Sequence, residues 1–116
     1  MLFMMIVKAS ENSEAGKRPS KKLMDAMDKY NDELIEAGVR VMAKGLHPSS
    51  NGLRFSYLVP GEEPVVTEGP FPETKDIIAG FFLIEVQSKE EAIAWAKKVP
   101  DPQGFGEGQV ELRQVF

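Results

Sequence analysis

The amino-acid sequence predicts an α+β fold of the ferredoxin-like sandwich type, an antiparallel sheet with two helices on one face. Three observations predict it. Strand and helix patterns alternate as two β-α-β halves with an extra hairpin between them. Two of the strands, near residues 2–8 and 78–86, are apolar at odd and even positions alike. Each helix is framed by an N-cap residue and a Gly or Pro stop.

The elements follow in order. Leu2 to Lys8 reads as a strand covered on both faces, and residues 10–19 as a polar loop. From Ser20, a candidate N-cap, the period becomes helical. Leu23, Met27, Tyr30 and Leu34 form a stripe, Asp25 and Lys29 an i,i+4 pair, and Gly38 a stop. Residues 39–45 alternate Val39, Val41 and Ala43 against Arg40, Met42 and Lys44, which predicts a strand with one wetter face. Turn chemistry fills residues 47–52, and Leu53, Phe55, Tyr57 and Val59 then recur at period two. Another turn at residues 60–64 leads into the short extended piece Val65-Val66-Thr67. After the apolar strand at residues 78–86, Ser88 with Glu91 predicts a capping box, and Ala92, Ile93, Ala96 and Val99 a buried stripe that ends at Pro100. A loop rich in Pro and Gly occupies residues 100–108, and Val110, Leu112 and Phe116 close with a final strand.

Two helices can cover only one face of such a sheet. Its other face, with residues 2–7 and 81–84 apolar on both sides, would expose a larger apolar patch than monomers usually tolerate, and a second copy of the chain is the simplest cover. A homodimer through the open sheet face, an α/β-barrel-like pair, is therefore expected.

Composition narrows the function. At 116 residues a single domain, 1–116, is expected. A net charge of −4 argues against nucleic acid, whose phosphates require clustered cations; only Lys17, Arg18, Lys21 and Lys22 cluster, and they read most simply as a solvated loop and helix start. The absence of cysteine removes disulfides, thiol nucleophiles and thiolate metal sites, and fits cytoplasmic residence. The apolar opening run is too short to span a membrane and lacks the pattern of a signal peptide. With one histidine and no cysteine, no metal site and no cofactor are expected. Residues 104–108, Gly-Phe-Gly-Glu-Gly, lack the spacing and context of a dinucleotide loop and read as a flexible loop.

Glu68-Gly69-Pro70-Phe71-Pro72-Glu73-Thr74-Lys75-Asp76 gathers turn formers, an aromatic and several ionisable groups ahead of an apolar strand. This segment resembles the signature of the YCII-related family, in the branch whose motif reads Asp-Gly-Pro-Phe-Ala-Glu-Thr-Lys-Glu. The resemblance extends to residues 80–86, to the helix around Glu91-Ala92-Ile93-Ala94-Trp95-Ala96, and to Val110-Glu111-Leu112-Arg113. It implies a small protein that binds or transforms a small molecule in a cleft between residues 68–76, residues 100–108 and the start of the first long helix.

The motif carries two readings. As a corner, Gly69 takes a positive φ, Pro70 stiffens the chain, Phe71 plugs the core and Thr74 caps the turn that follows. As a site, Glu68, Glu73 and Lys75 orient a ligand from a loop on a rigid sheet, with Arg54 near the rim. The resemblance also bears on catalysis. Where a His-Asp pair has been proposed in the wider family, the His follows an Arg-Pro pair early in the first helix and the Asp precedes a Pro after the second. Here Arg18-Pro19 is present, Lys21 or its neighbour stands in place of that His, and Asp101-Pro102 matches the Asp. Asp101 is thus the implied proton carrier, with Lys21 or Lys22 as a fixed positive charge. His47, the one imidazole, lies in a turn and reads as a surface residue or, facing a pocket, as a proton carrier. Trp95 reads as packing rather than ligand recognition. The opposing possibility is a non-catalytic binding or regulatory dimer module.

Overall fold

The computed structural model describes residues 1–102 and 106–116. β1 (Leu2–Lys8) lies between β5 (Ile78–Glu85) and β6 (Val110–Gln114), and β2 (Arg40–Gly45) flanks β5. The order β2-β5-β1-β6, with each pair antiparallel, is the ferredoxin-like sheet that the alternation of elements predicts. Between β2 and β5, β3 (Leu53–Ser56) and β4 (Val65–Glu68) pair as a separate two-stranded sheet. The helices are α1 (Glu11–Glu14), α2 (Lys21–Glu36) and α3 (Lys89–Lys97).

The core forms where the inward residues of β1 and β5 meet α2 and α3. Phe3, Met5 and Val7 alternate with half-buried Leu2, Met4 and Ile6, and Phe82 and Ile84 do the same on β5. Against them pack Leu34, Ala92 and Tyr30. Tyr30 ties the layers together. Its ring meets Phe82 edge-on at 5.4 Å and Trp95 at 6.2 Å, and its hydroxyl donates to the Trp95 carbonyl at 2.8 Å. Burial pushes the Tyr30 hydroxyl well above the usual tyrosine range, and the nearby Glu33 carboxylate adds to the rise. Trp95 is accordingly a packing residue, half-covered beside the core.

The expected caps are present, with differences in detail. Ser20 accepts from the Leu23 N–H and Ser88 from the Glu91 N–H. The Glu91 carboxylate reaches back to the Gln87 N–H, one residue before the cap. Gly38, at φ +71, follows the last turn of α2. Asp25 pairs backwards with Lys21 at 3.4 Å rather than forwards with Lys29. Residues 10–19 are not wholly loop, because Ser10 and Ser13 exchange side-chain and backbone hydrogen bonds and close the single turn α1. In β2 a register shift between Arg40 and Met42 leaves Val41 exposed, so only Val39 and Ala43 of the expected inner row meet the core. β3 ends at Ser56, short of Val59, and Phe116 lies fully exposed beyond the last strand. The reading of residues 104–108 falls partly on residues 103–105, outside the described residues.

Candidate functional site

The motif loop is held by a relay that begins on α1. The Glu14 carboxylate accepts from the Ser49 N–H at 2.9 Å and from the Ser49 hydroxyl. The Ser49 Oγ in turn accepts from the Phe71 N–H at 3.0 Å, and Ser49 is buried. Gly69 donates its N–H to the Gly52 carbonyl at 2.9 Å. A Cβ at Gly69 would stand 1.6 Å from the Ser49 carbonyl oxygen, so glycine is required by close approach. The expected positive φ is not its reason; its φ is not in that region, and the Gly69-Pro70 peptide is cis. Phe71 is half-buried outside the core, where the Arg54 guanidinium stacks on its ring at 4.0 Å. Thr74 sits inside a single 3₁₀ turn, residues Thr74–Asp76, rather than capping it.

The loop after α3 is organised by Asp101. Its Oδ2 accepts from the Gly106 N–H at 2.6 Å and its Oδ1 from the Gly108 N–H at 3.1 Å. At Gly108 a Cβ would meet that same Oδ1 at 2.2 Å. The loop also leans on α1, where Asn12 Nδ2 donates to the Glu107 carboxylate at 2.9 Å. One turn of helix therefore supports both loops, through Asn12 on one side and Glu14 on the other.

A cavity of about 480 Å³ opens between α2 and the β2–β5 part of the sheet. Val7, Phe82 and Met27 give it apolar walls, Asn31 and Ser13 are its polar members, and Arg40 and Lys44 its cationic ones. Asn31 Nδ2 donates to the Met27 carbonyl at 3.1 Å, while its Oδ1 is buried without a hydrogen-bond partner, alone in this among buried side-chain polar atoms of the described residues.

The residues expected to form a site from sequence are divided by the fold. Glu68, Gly69, Pro70, Phe71 and Arg54 gather at the base of the hairpin, Glu73, Thr74 and Lys75 follow in and before the 3₁₀ turn that packs beside β1, and among the described residues none of them lines the cavity. Of the three expected to be catalytic, Lys21 is exposed and paired with Asp25, and His47 is exposed in its turn. Asp101 holds its own loop. Their neighbours come closer, since Leu46 and Pro102 both line the cavity, as does Pro19 before α2. Asn31 and Glu14 were not singled out by sequence. The available signals were a polar residue four positions after Met27, hence on the face of the apolar stripe, and the Ser10/Ser13 pair that builds α1. Among the described residues no three His, Cys, Asp or Glu side chains group to hold a metal ion, and no helix is long and apolar enough to cross a membrane.

Comparison with known proteins bears on the family and the fold. The family described as YCII-related domain matches residues 1–116. An uncharacterized protein of Rhizobium meliloti (strain 1021) is 28% identical over 88 residues, which is 76% of this chain and 69% of that protein. Among solved structures, the fold is shared with 5-chloro-2-hydroxyhydroquinone dehydrochlorinase from Burkholderia phenoliruptrix AC1100, in complex with 2,5-dihydroxybenzoquinone. The TM-score is 0.55 and the identity 14%, over 100% of this chain and 94% of that one.

Proposed function

The chain belongs to the YCII-related family, and from that premise we propose that it binds a small, mainly apolar molecule with a hydrogen-bond donor and an anionic group in the cavity beside α2. The observation that carries this reading is the partnerless Asn31 Oδ1 beside a cavity whose walls are mainly apolar. A buried acceptor left without a donor costs about 1–3 kcal/mol, a cost that a donor on a ligand removes once the amide turns toward it. Arg40 supplies the charge for an anionic group. The commitment of both Asp101 oxygens to backbone N–H groups supports binding over acid-base catalysis by that residue. Within the family, the motif at residues 68–76 supports the branch named for Asp-Gly-Pro-Phe.

The test uses the anionic aromatic dye 1-anilinonaphthalene-8-sulfonate as probe. Saturable binding should weaken about tenfold in Arg40→Ala and in Asn31→Leu, while Asn31→Leu gains about 1 kcal/mol of stability by removing the unsatisfied buried acceptor. Dye binding indifferent to Asn31, to Arg40 and to the bulky filler Met27→Trp removes the cavity as the site. An enzymatic use of the same cavity is a second reading, favoured by His47 following the lining residue Leu46. In that reading His47→Gln abolishes turnover and leaves dye binding intact.

A homodimer through the open sheet face belongs to the same proposal. Cross-strand partners share a face, which sets Lys44, Phe81, Ile6 and Glu111 in one row and Met42, Leu83, Met4 and Arg113 in the next. A two-fold axis along the strands would bring Phe81 onto Ile6 and Lys44 onto Glu111 of the partner subunit, a self-complementary arrangement.

A further inference from the structure

The cavity opens where one row of the sheet lacks side chains. Gly45 on β2 lies opposite Gly80 on β5, and Gly80 lies opposite Val7 on β1. Cross-strand partners share a face, and Gly80 falls in step with buried Phe82 and Ile84, so the row Gly45, Gly80, Val7 faces the helices. In a strand each side chain stands roughly perpendicular to the sheet. Two neighbouring glycines on strands about 4.8 Å apart therefore leave a strip of bare, flat backbone where side chains would otherwise stand. Met27 of α2 and Phe82, the next inward residue of β5, line the same space.

The two glycines are there for different reasons. A Cβ at Gly80 would stand 2.8 Å from the Lys44 carbonyl oxygen, so close strand pairing alone requires glycine. At Gly45 the nearest atom to a Cβ is the Ala79 carbonyl oxygen at 4.0 Å, and the φ of Gly45 is not in the left-handed region. Neither crowding nor backbone conformation requires glycine at 45, and glycine inside a strand is destabilising. A side chain there would stand in the cavity, which Gly45 itself lines.

We propose that Gly45 is a specificity-determining residue of the cavity, whose bare backbone, with that of Gly80, is the floor on which a flat ring lies. The inference deepens the binding reading above and rests on it. A gap of about 1 Å forfeits up to about half of the dispersion attraction between two atoms. A flat floor thus favours a planar face, which touches it with every atom, over a globular body, which touches it with few. Met27 suits the same class, because a thioether packs favourably against an aromatic ring.

The experiment displaces 1-anilinonaphthalene-8-sulfonate from the intact chain with two acids of equal charge and carbon count, flat 2-naphthoate and globular 1-adamantanecarboxylate. Displacement by 2-naphthoate is expected at a concentration at least about tenfold lower. Gly45→Ala, which sets a methyl group on the floor, should reduce that preference to less than about threefold, and Gly45→Val should weaken 2-naphthoate at least about tenfold, while neither variant melts below the unaltered chain. A merely structural glycine would instead lose binding only as the melting temperature falls. Equal displacement by the two acids, or a preference that survives Gly45→Ala, overturns the inference. So does a lower melting temperature in either variant, because open space at Gly45 is its premise. In each of these cases dye binding that still responds to Met27→Trp leaves the cavity reading standing. Dye binding indifferent to Met27→Trp removes the cavity, and the flat-ring inference with it.

Discussion

At the scale of single residues, two glycines show how differently one residue type is used. Gly38 has a positive φ in open space, so Gly38→Ala costs only the left-handed conformation, about 1 kcal/mol. Gly69 has no strain to relieve, yet a methyl there collides with backbone. Gly69→Ala should cost about 2–4 kcal/mol in urea denaturation, because the motif loop must leave Ser49 and give up the Phe71 hydrogen bond. Equal costs for the two variants would refute this account. Sequence shows both glycines but not this distinction, since the Ser49 carbonyl lies twenty positions from Gly69. Tyr30 gives a pH dependence of known sign. The folded state retains a phenolic proton that the unfolded chain releases above about pH 10. The folded pKa being the higher one, stability is full below that pH and declines as pH rises beyond it. Tyr30→Phe should abolish this alkaline component in chemical denaturation at pH 8 to 11, and cost about 1 kcal/mol at neutral pH through the bond to Trp95.

At the scale of elements, legibility followed periodicity. α2, α3, β1 and β5 were readable because their apolar spacing is sustained and their caps are explicit. α1 has four residues and no buried side chain, so no apolar period announces it and only the Ser10/Ser13 pair marks it. The bulge that turns Val41 outward is likewise a pairing event between strands, invisible along one of them. The candidate site was legible in part for the same reason. The motif was found, but Asp101 forms its bonds to the backbone of its own loop, and Asn31 faces a cavity that exists only after α2 docks. The supporting role of α1 makes a definite prediction. Glu14→Gln weakens two hydrogen bonds to Ser49 and should cost about 1–2 kcal/mol. Asn12→Ala, on the exposed side, should cost less than about 0.5 kcal/mol. A double-mutant cycle between Glu14→Gln and Ser49→Ala should show coupling above about 0.5 kcal/mol, because the Ser49 hydroxyl joins Glu14 to the Phe71 N–H. Additive effects would mean that Ser49 holds the loop without Glu14.

At the scale of the whole molecule, the strand order governs how the chain reaches its shape. β1 is one of the two interior strands, yet its neighbours β5 and β6 come from the far half of the sequence. A piece ending at the hairpin tip near Gly61 contains β1 with neither edge satisfied, and the remaining piece contains β5 and β6 with the strand between them missing. Contacts so distant in sequence are slow to form and arrive together. The protein is therefore indivisible as a folding unit, although a cut in the exposed turn near Gly61 falls between β3 and β4 and interrupts no strand. Two halves separated between Gly61 and Glu62 should each be unstructured alone by circular dichroism and should recover the spectrum of the intact chain on mixing, which makes this fold a conditional switch whose two inputs are simply the presence of each half.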